Sequence, residues 1–207
     1  MAYSNFTLQS AIAKFGLKVD TSRELFTNVQ PITISASTRT TLEQNAPLAT
    51  LMVTEKAKSE LLVAPMIVEV WRRTGHQIAV YSGVDLDVDA VDGLTGTCDF
   101  LLARGPQLPY INPPILVLVE AKRDDFTAGY GQCVSEMVAA LRLNRRENTD
   151  VETVYGVMTN GVTWKFFQLH GTDLAIDLAD YSIQQPDRLL GVLMHLVGMK
   201  PLPAVAA

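Results

Sequence analysis

The run Ile115-Leu-Val-Leu-Val119, closed by Glu120-Ala-Lys122, constrains this chain more than any other stretch. Five consecutive β-branched and aliphatic residues have the composition of a strand buried on both faces at the centre of a sheet. Side chains alternate along a strand, so Glu120 and Lys122 share one face and Ala121 takes the other. A carboxylate and an ammonium therefore stand side by side where an apolar strand ends. Burying such charges costs several kcal/mol unless they are paired or solvated. The ending marks either the point where the strand reaches solvent or the beginning of a site.

The rest of the chain supplies an α/β frame for that strand. Leu8, Ile12 and Phe15 recur at helical spacing over Thr7 to Phe15, with Gly16 as the stop. A connector with Pro31 follows, and a second short helix is expected after Ser37. From Thr54 to Thr74, Leu62, Met66 and Val70 form one apolar line and Val63, Ile67 and Trp71 the next; Pro65 should kink this helix. Strands are expected at His76 to Tyr81, turning at Ser82-Gly83, and at Gly96 to Ala103. After the central strand come a helix over Thr127 to Leu143, with Val134, Met137, Val138 and Leu141 as its stripe, and a strand over Val151 to Met158. Asn160-Gly161 is a hairpin signal, Val162 to Leu169 a returning strand, and Pro186 to Leu196 a closing helix. The order predicts a mixed central β-sheet flanked by helices. Residues 1–50 read as an N-terminal helical extension, 51–200 as the core and 201–207 as a tail.

Composition narrows the function. The 207 residues carry a net charge of −5, which excludes a strongly basic nucleic-acid binder. Any phosphate contact must come from a local patch, such as Lys122 and Arg123 with Arg142. The pairs Arg72-Arg73 and Arg145-Arg146 read as solvated helix ends. No apolar run is long enough to span a bilayer, and the polar Met1–Thr7 stretch lacks the pattern of a secretory signal, so a cytoplasmic location is expected. Cys98 and Cys133 match no metal-binding spacing and read as small core residues. Asp85, Asp87 and Asp89 begin like a calcium loop, but Ala90 stands where glycine is required and no acid closes the loop, so calcium is rejected there. His195 reads as a packed or surface histidine.

Asp99 lies among Cys98, Phe100 and Leu101, an uncommon setting for an unpartnered carboxylate. With Glu120 on a neighbouring strand it forms a donor pair that suits magnesium, which takes one or two carboxylates together with water and a substrate phosphate. Lys122 would then orient water or offset phosphate charge. Glu60 sits in the preceding helix, where a surface pairing with Lys56 is the favoured account from the residues alone. Gln132 and Glu136 stand one turn apart on the helix after the central strand.

Asp99, Glu120-Ala-Lys122 and the helical Glu60, on this order of elements, resemble the PD-(D/E)XK nuclease superfamily over roughly residues 55–169. Within that span, Val154 to Phe167 resembles the strand hairpin of type I restriction subunit nuclease domains. The resemblance implies a restriction-endonuclease-like core that hydrolyses DNA with Mg2+ or Mn2+. It implies that Asp99 and Glu120 bind the metal, that Lys122 is catalytic, that Glu60 is an accessory acid and that Gln132 faces the site from its helix. Duplex cleavage would favour a homodimer with two sites. Two other readings use the same residues. One is an inactive nuclease-fold module that binds nucleic acid or a protein partner. The other is an ion-paired strand end in an unrelated α/β protein, which requires Asp99 and Glu120 to lie far apart.

Overall fold

The computed structural model describes residues 2–52, 54–122 and 126–203, with Phe126 described in its backbone alone. The chain enters through a 3-10 turn, Tyr3–Asn5, and helix α1, Leu8–Phe15. Thr7 caps α1 by accepting from the Ser10 N–H, and Gly16 ends it at φ 63°. Strand β1, Lys18–Asp20, precedes helix α2, Ala36–Leu51, which Ser35 caps through the Thr38 N–H. Helix α2 runs 16 residues, longer than its sequence suggests, because its polar composition gives little apolar periodicity.

Helices α3, Glu55–Lys58, and α4, Ala64–Arg73, are joined by five residues in π-helical geometry, Ser59–Val63. The irregularity has a local cause. Pro65 has no N–H for the carbonyl of Leu61, and Asn45 Nδ2 donates to that oxygen instead, at 2.9 Å. The expected kink is thus a widened turn held by a side chain of α2.

The sheet follows. Its strands are β2, Ile78–Asp85; β3, Thr97–Arg104; β4, Ile115–Ala121; β5, Thr153–Thr159; β6, Thr163–His170; β7, Asp173–Ile176; and β8, Tyr181–Ser182. Helix α5, Phe126–Arg146, crosses between β4 and β5, and α6, Pro186–Leu196, closes the fold. The order across the sheet is β1-β7-β6-β5-β4-β3-β2, with β8 beside β6. Pairs β4–β5 and β1–β7 are parallel and the others antiparallel. This is an α/β protein with a mixed sheet flanked by helices. The expected turn at Ser82-Gly83 is instead a kink in a continuing strand: β2 pairs with β3 at Ser82–Phe100 and again at Val84–Cys98, with Gly83 between them at φ 63°.

All seven residues of β4 are buried. Ile115 and Leu118 enter the core under α1 and α5, while Val117 and Val119 enter the core under α4 and α6. Each such side chain contributes about 1.5–3 kcal/mol of burial. Asn144 of α5 fixes the start of β4, accepting from Ile115 N–H and donating to Ile115 O, both at 2.7 Å. The end of β4 is thereby held at a fixed depth beside α5. Residues 2–50 are built into this body: Tyr3, Phe6, Ala11 and Leu17 join the α5-side core, Phe26, Ile34 and Leu42 the other, and β1 extends the sheet. Among the described residues, no helix is long and apolar enough to cross a membrane.

Candidate functional site

The charged ending of β4 does not emerge into solvent. Glu120 is 2% exposed, and Lys122 Nζ donates to its Oε1 at 2.7 Å. Gln132, reaching down from α5, completes a triangle. Its Oε1 accepts from Lys122 Nζ at 3.1 Å, and its Nε2 donates to Glu120 Oε1. The stem of Lys122 reaches this position because residue 129 of α5 is glycine; a Cβ there would stand 3.1 Å from Lys122 Cγ and would collide with Met158 Cε.

Asp99 arrives from the neighbouring strand. The register that sets Phe100 opposite Val119 carries Asp99 to the end of β4, where its Oδ2 accepts from Ala121 N–H at 2.8 Å. Asp99 and Glu120 are therefore close, and a strand end with scattered charges does not describe this molecule. Burial raises the Asp99 pKa despite the Ala121 hydrogen bond and the Lys122 charge. Burial, followed by the negative charge of Asp99, pushes Glu120 up to about 7 even with Lys122 alongside. Burial alone would lower Lys122, but Glu120 beside it, together with Glu55 and Asp99, raises it. Lys122 is consequently a fixed positive charge at neutral pH.

Glu60 lies apart from the triangle. It is 64% exposed along its side chain and pairs with Lys56 at 3.8 Å, while sharing with Asp99 and Ala121 a cleft of about 490 Å3. Glu55, at the start of α3, lines the same cleft and acts electrostatically on both Asp99 and Lys122. Sequence reading missed it, because an acid one residue before Lys56 looks like any solvated helix start. The second acid beyond the expected set is Glu136, 0% exposed, whose Oε1 accepts from Gln132 Nε2 at 3.0 Å. Burial first, then Glu120, holds its pKa well above the carboxylate range. The one available signal was its spacing of one helical turn from Gln132.

Among the described residues, Arg142 does not join Lys122 in a basic patch. Arg123 lies outside the described residues, and Arg142, near the other end of α5, is engaged by Asp89 at 3.0 Å and Asp92 at 2.6 Å. Arg73 is no solvated helix end; it is 8% exposed, donates to Thr33 O and faces Glu69. Cys98 and Cys133 are buried, and burial raises both thiols, as suits unreactive core residues. His195 is exposed, packs edge-on against Phe26 and lines a separate groove of about 540 Å3 that shares no residue with the site.

Among the described residues, no group of three or more His, Cys, Asp and Glu side chains is placed to hold a metal ion. The two-carboxylate arrangement has a different mark. Among the described residues, Glu120 Oε2 is buried without a hydrogen-bond partner, and the charge of Asp99 disfavours its ionisation. A pair of carboxyl groups of this kind, one of them under-satisfied and the other lining a cleft, fits a hard divalent cation. No protein-family model matches the chain, and no curated protein matches it.

Proposed function

We propose that the chain is a metal-dependent phosphodiesterase that hydrolyses DNA, in keeping with its resemblance to PD-(D/E)XK nucleases. The observation that carries this reading is the Lys122–Glu120–Gln132 triangle at the end of the central strand, with Asp99 brought to it by β3. Asp99 and Glu120 would hold Mg2+ or Mn2+, which when bound supplies charge to a phosphoryl oxygen and makes a coordinated water more acidic.

The chain's own residues do the rest. Lys122, kept protonated by Glu120, offers N–H donors and positive charge to an anionic phosphate and to the charge that grows on it as water adds to phosphorus and the P–O bond breaks. It does not serve as a base in this state. Gln132 limits the freedom of Lys122 Nζ by accepting one of its hydrogens, so the ammonium is aimed before substrate arrives. The cleft lined by Glu55, Lys56, Ser59, Glu60 and Asp99 gives a strand access to this end of the sheet.

The test is direct. Purified protein with Mg2+ or Mn2+ should cleave DNA, and Lys122→Ala should remove nearly all of that cleavage while leaving the circular-dichroism spectrum unchanged. If every DNA and RNA substrate stays intact and calorimetry detects no metal binding, the reading is lost.

A further inference from the structure

Gln132 has two amide hydrogens, and the triangle uses one of them. Its Nε2 donates one to Glu120 Oε1, and the second goes to Glu136 Oε1 at 3.0 Å. Glu136 stands one turn further along α5, 0% exposed, with Oε2 buried and without a hydrogen-bond partner among the described residues. An acidic side chain in such a place is costly, whether ionised as a dry charge or protonated as a buried carboxyl that one hydrogen bond only half satisfies. Leucine or methionine would fill the position with less strain on the fold. The surrounding groups show what the carboxylate does. Cys133 and Met137 border it on α5 and are apolar, and Ser135 turns its hydroxyl to the backbone at Gln132 O. Glu136 itself bonds only Gln132 among the hydrogen bonds of the described residues.

We infer that Glu136 is a positioning residue: it holds the Gln132 amide in the orientation that presents its carbonyl to Lys122 and its NH2 to Glu120. The chain of dependence runs from Glu136 to Gln132 to the Lys122 ammonium. An amide held at both hydrogens and at its oxygen has no rotational freedom left. With the Glu136 acceptor gone, the amide keeps its two contacts in the triangle but can swing about them, and Lys122 swings with it. The inference rests on the proposed phosphodiesterase reading for its catalytic consequence and on this structure alone for the hydrogen bond.

The experiment has two parts, so that failure of one reading does not pass for failure of the other. In the metal-free protein, the side-chain NH2 resonances of Gln132 are identified in 1H–15N spectra by their loss in Gln132→Ala, and their hydrogen exchange is measured. Glu136→Leu should exchange at least about tenfold faster than wild type, while Glu136→Gln, which keeps an acceptor oxygen, should stay within about twofold. In cleavage assays with Mn2+, Glu136→Leu should lower kcat about tenfold with KM unchanged, and it should add nothing in a Gln132→Ala background. Exchange that is the same in Glu136→Leu as in wild type overturns the inference, whether or not the protein cleaves DNA. So does a loss that multiplies with that of Gln132→Ala, because an effect routed elsewhere would be additive.

Discussion

Glu69 and Glu120 are buried to the same degree, 0% and 2% exposed, and the fold treats them in opposite ways. Both oxygens of Glu69 are taken. Oε1 accepts from Ser35 N–H at 2.9 Å, and Oε2 accepts from Ser35 Oγ and Thr38 Oγ1, each at 2.8 Å, with Arg73 at 3.5 Å. Burial raises its pKa, but the Ser35 and Thr38 hydrogen bonds and the Arg73 charge together outweigh burial and bring it below the ordinary carboxylate value. Glu120 has Lys122 and Gln132 crowded onto one oxygen and no hydrogen-bond partner among the described residues on the other, a second acid nearby, and a pKa pushed up to about 7. The first arrangement is how a protein makes a buried carboxylate stabilising. The second leaves a buried carboxyl under-satisfied and its pKa displaced, an arrangement that clusters at functional sites.

If this contrast is right, substitutions on the two sides should fail in different assays. The largest effect belongs to Lys122→Ala, which should reduce cleavage by about 10^3-fold, ~4 kcal/mol in the barrier, measured as single-turnover rate. The melting temperature should change little, because Glu120 can take up a proton once its partner is gone. Glu69→Ala should do the reverse. It strands Arg73 and removes the acceptor for three donors, so it should cost about 3 kcal/mol in urea unfolding while surviving native protein cleaves normally. A Glu69→Ala protein as stable as wild type would show that the nest around Ser35 is ornamental, and the comparison would collapse from that side.

How much of this the sequence disclosed depended on the range of the interactions. The central strand, α5, α6 and the Asn160-Gly161 hairpin were legible because each carries its pattern within a dozen residues. Strands β1, β7 and β8 were not, since three, four and two residues leave no alternation to read. Asp99, Glu120 and Lys122 stood out as charges in apolar runs, and Gln132 through the resemblance. The Glu69 nest left no such trace: its acceptors and donors lie 31 and 34 residues apart, and Glu69 among Val68, Val70 and Trp71 looks like an ordinary helix acid. Glu55 and Glu60 show the same limit. They stand five positions apart, Glu55 at the start of α3 and Glu60 inside the widened π turn, and only three dimensions reveal that Glu55 acts on Asp99 and Lys122 while Glu60 pairs outward with Lys56.

Metal binding sharpens the contrast without any need for turnover. Mn2+ at about 100 times its dissociation constant should stabilise the wild-type fold by about 2.7 kcal/mol, read as a rise in melting temperature. Glu120→Gln or Asp99→Asn should remove most of that rise, and Glu69→Gln should leave it intact. An equal rise in all four proteins would mean that the ion binds elsewhere and that the unpartnered oxygen of Glu120 is a packing defect.

The smallest effect is the dependence of stability on acid, and its sign separates the two carboxylates. Glu69 has a folded-state pKa below its unfolded one, so the folded form binds its proton more weakly. Its contribution is present above the unfolded value, near 4.5, and disappears as the pH falls through the lowered folded value. Urea unfolding should therefore show stability falling as the pH drops below about 4.5, a slope that Glu69→Gln removes. Glu120 works the other way. Its raised pKa means that stability is fullest below the ordinary carboxylate value and is lost as the pH rises through about 7, where the buried carboxylate ionises. Glu120→Gln should thus flatten the neutral limb of the profile and leave the acid limb alone, while Glu69→Gln does the opposite. Were both variants to alter the same limb, the two carboxylates would belong to one electrostatic class, and the difference in their hydrogen bonding would have no thermodynamic consequence.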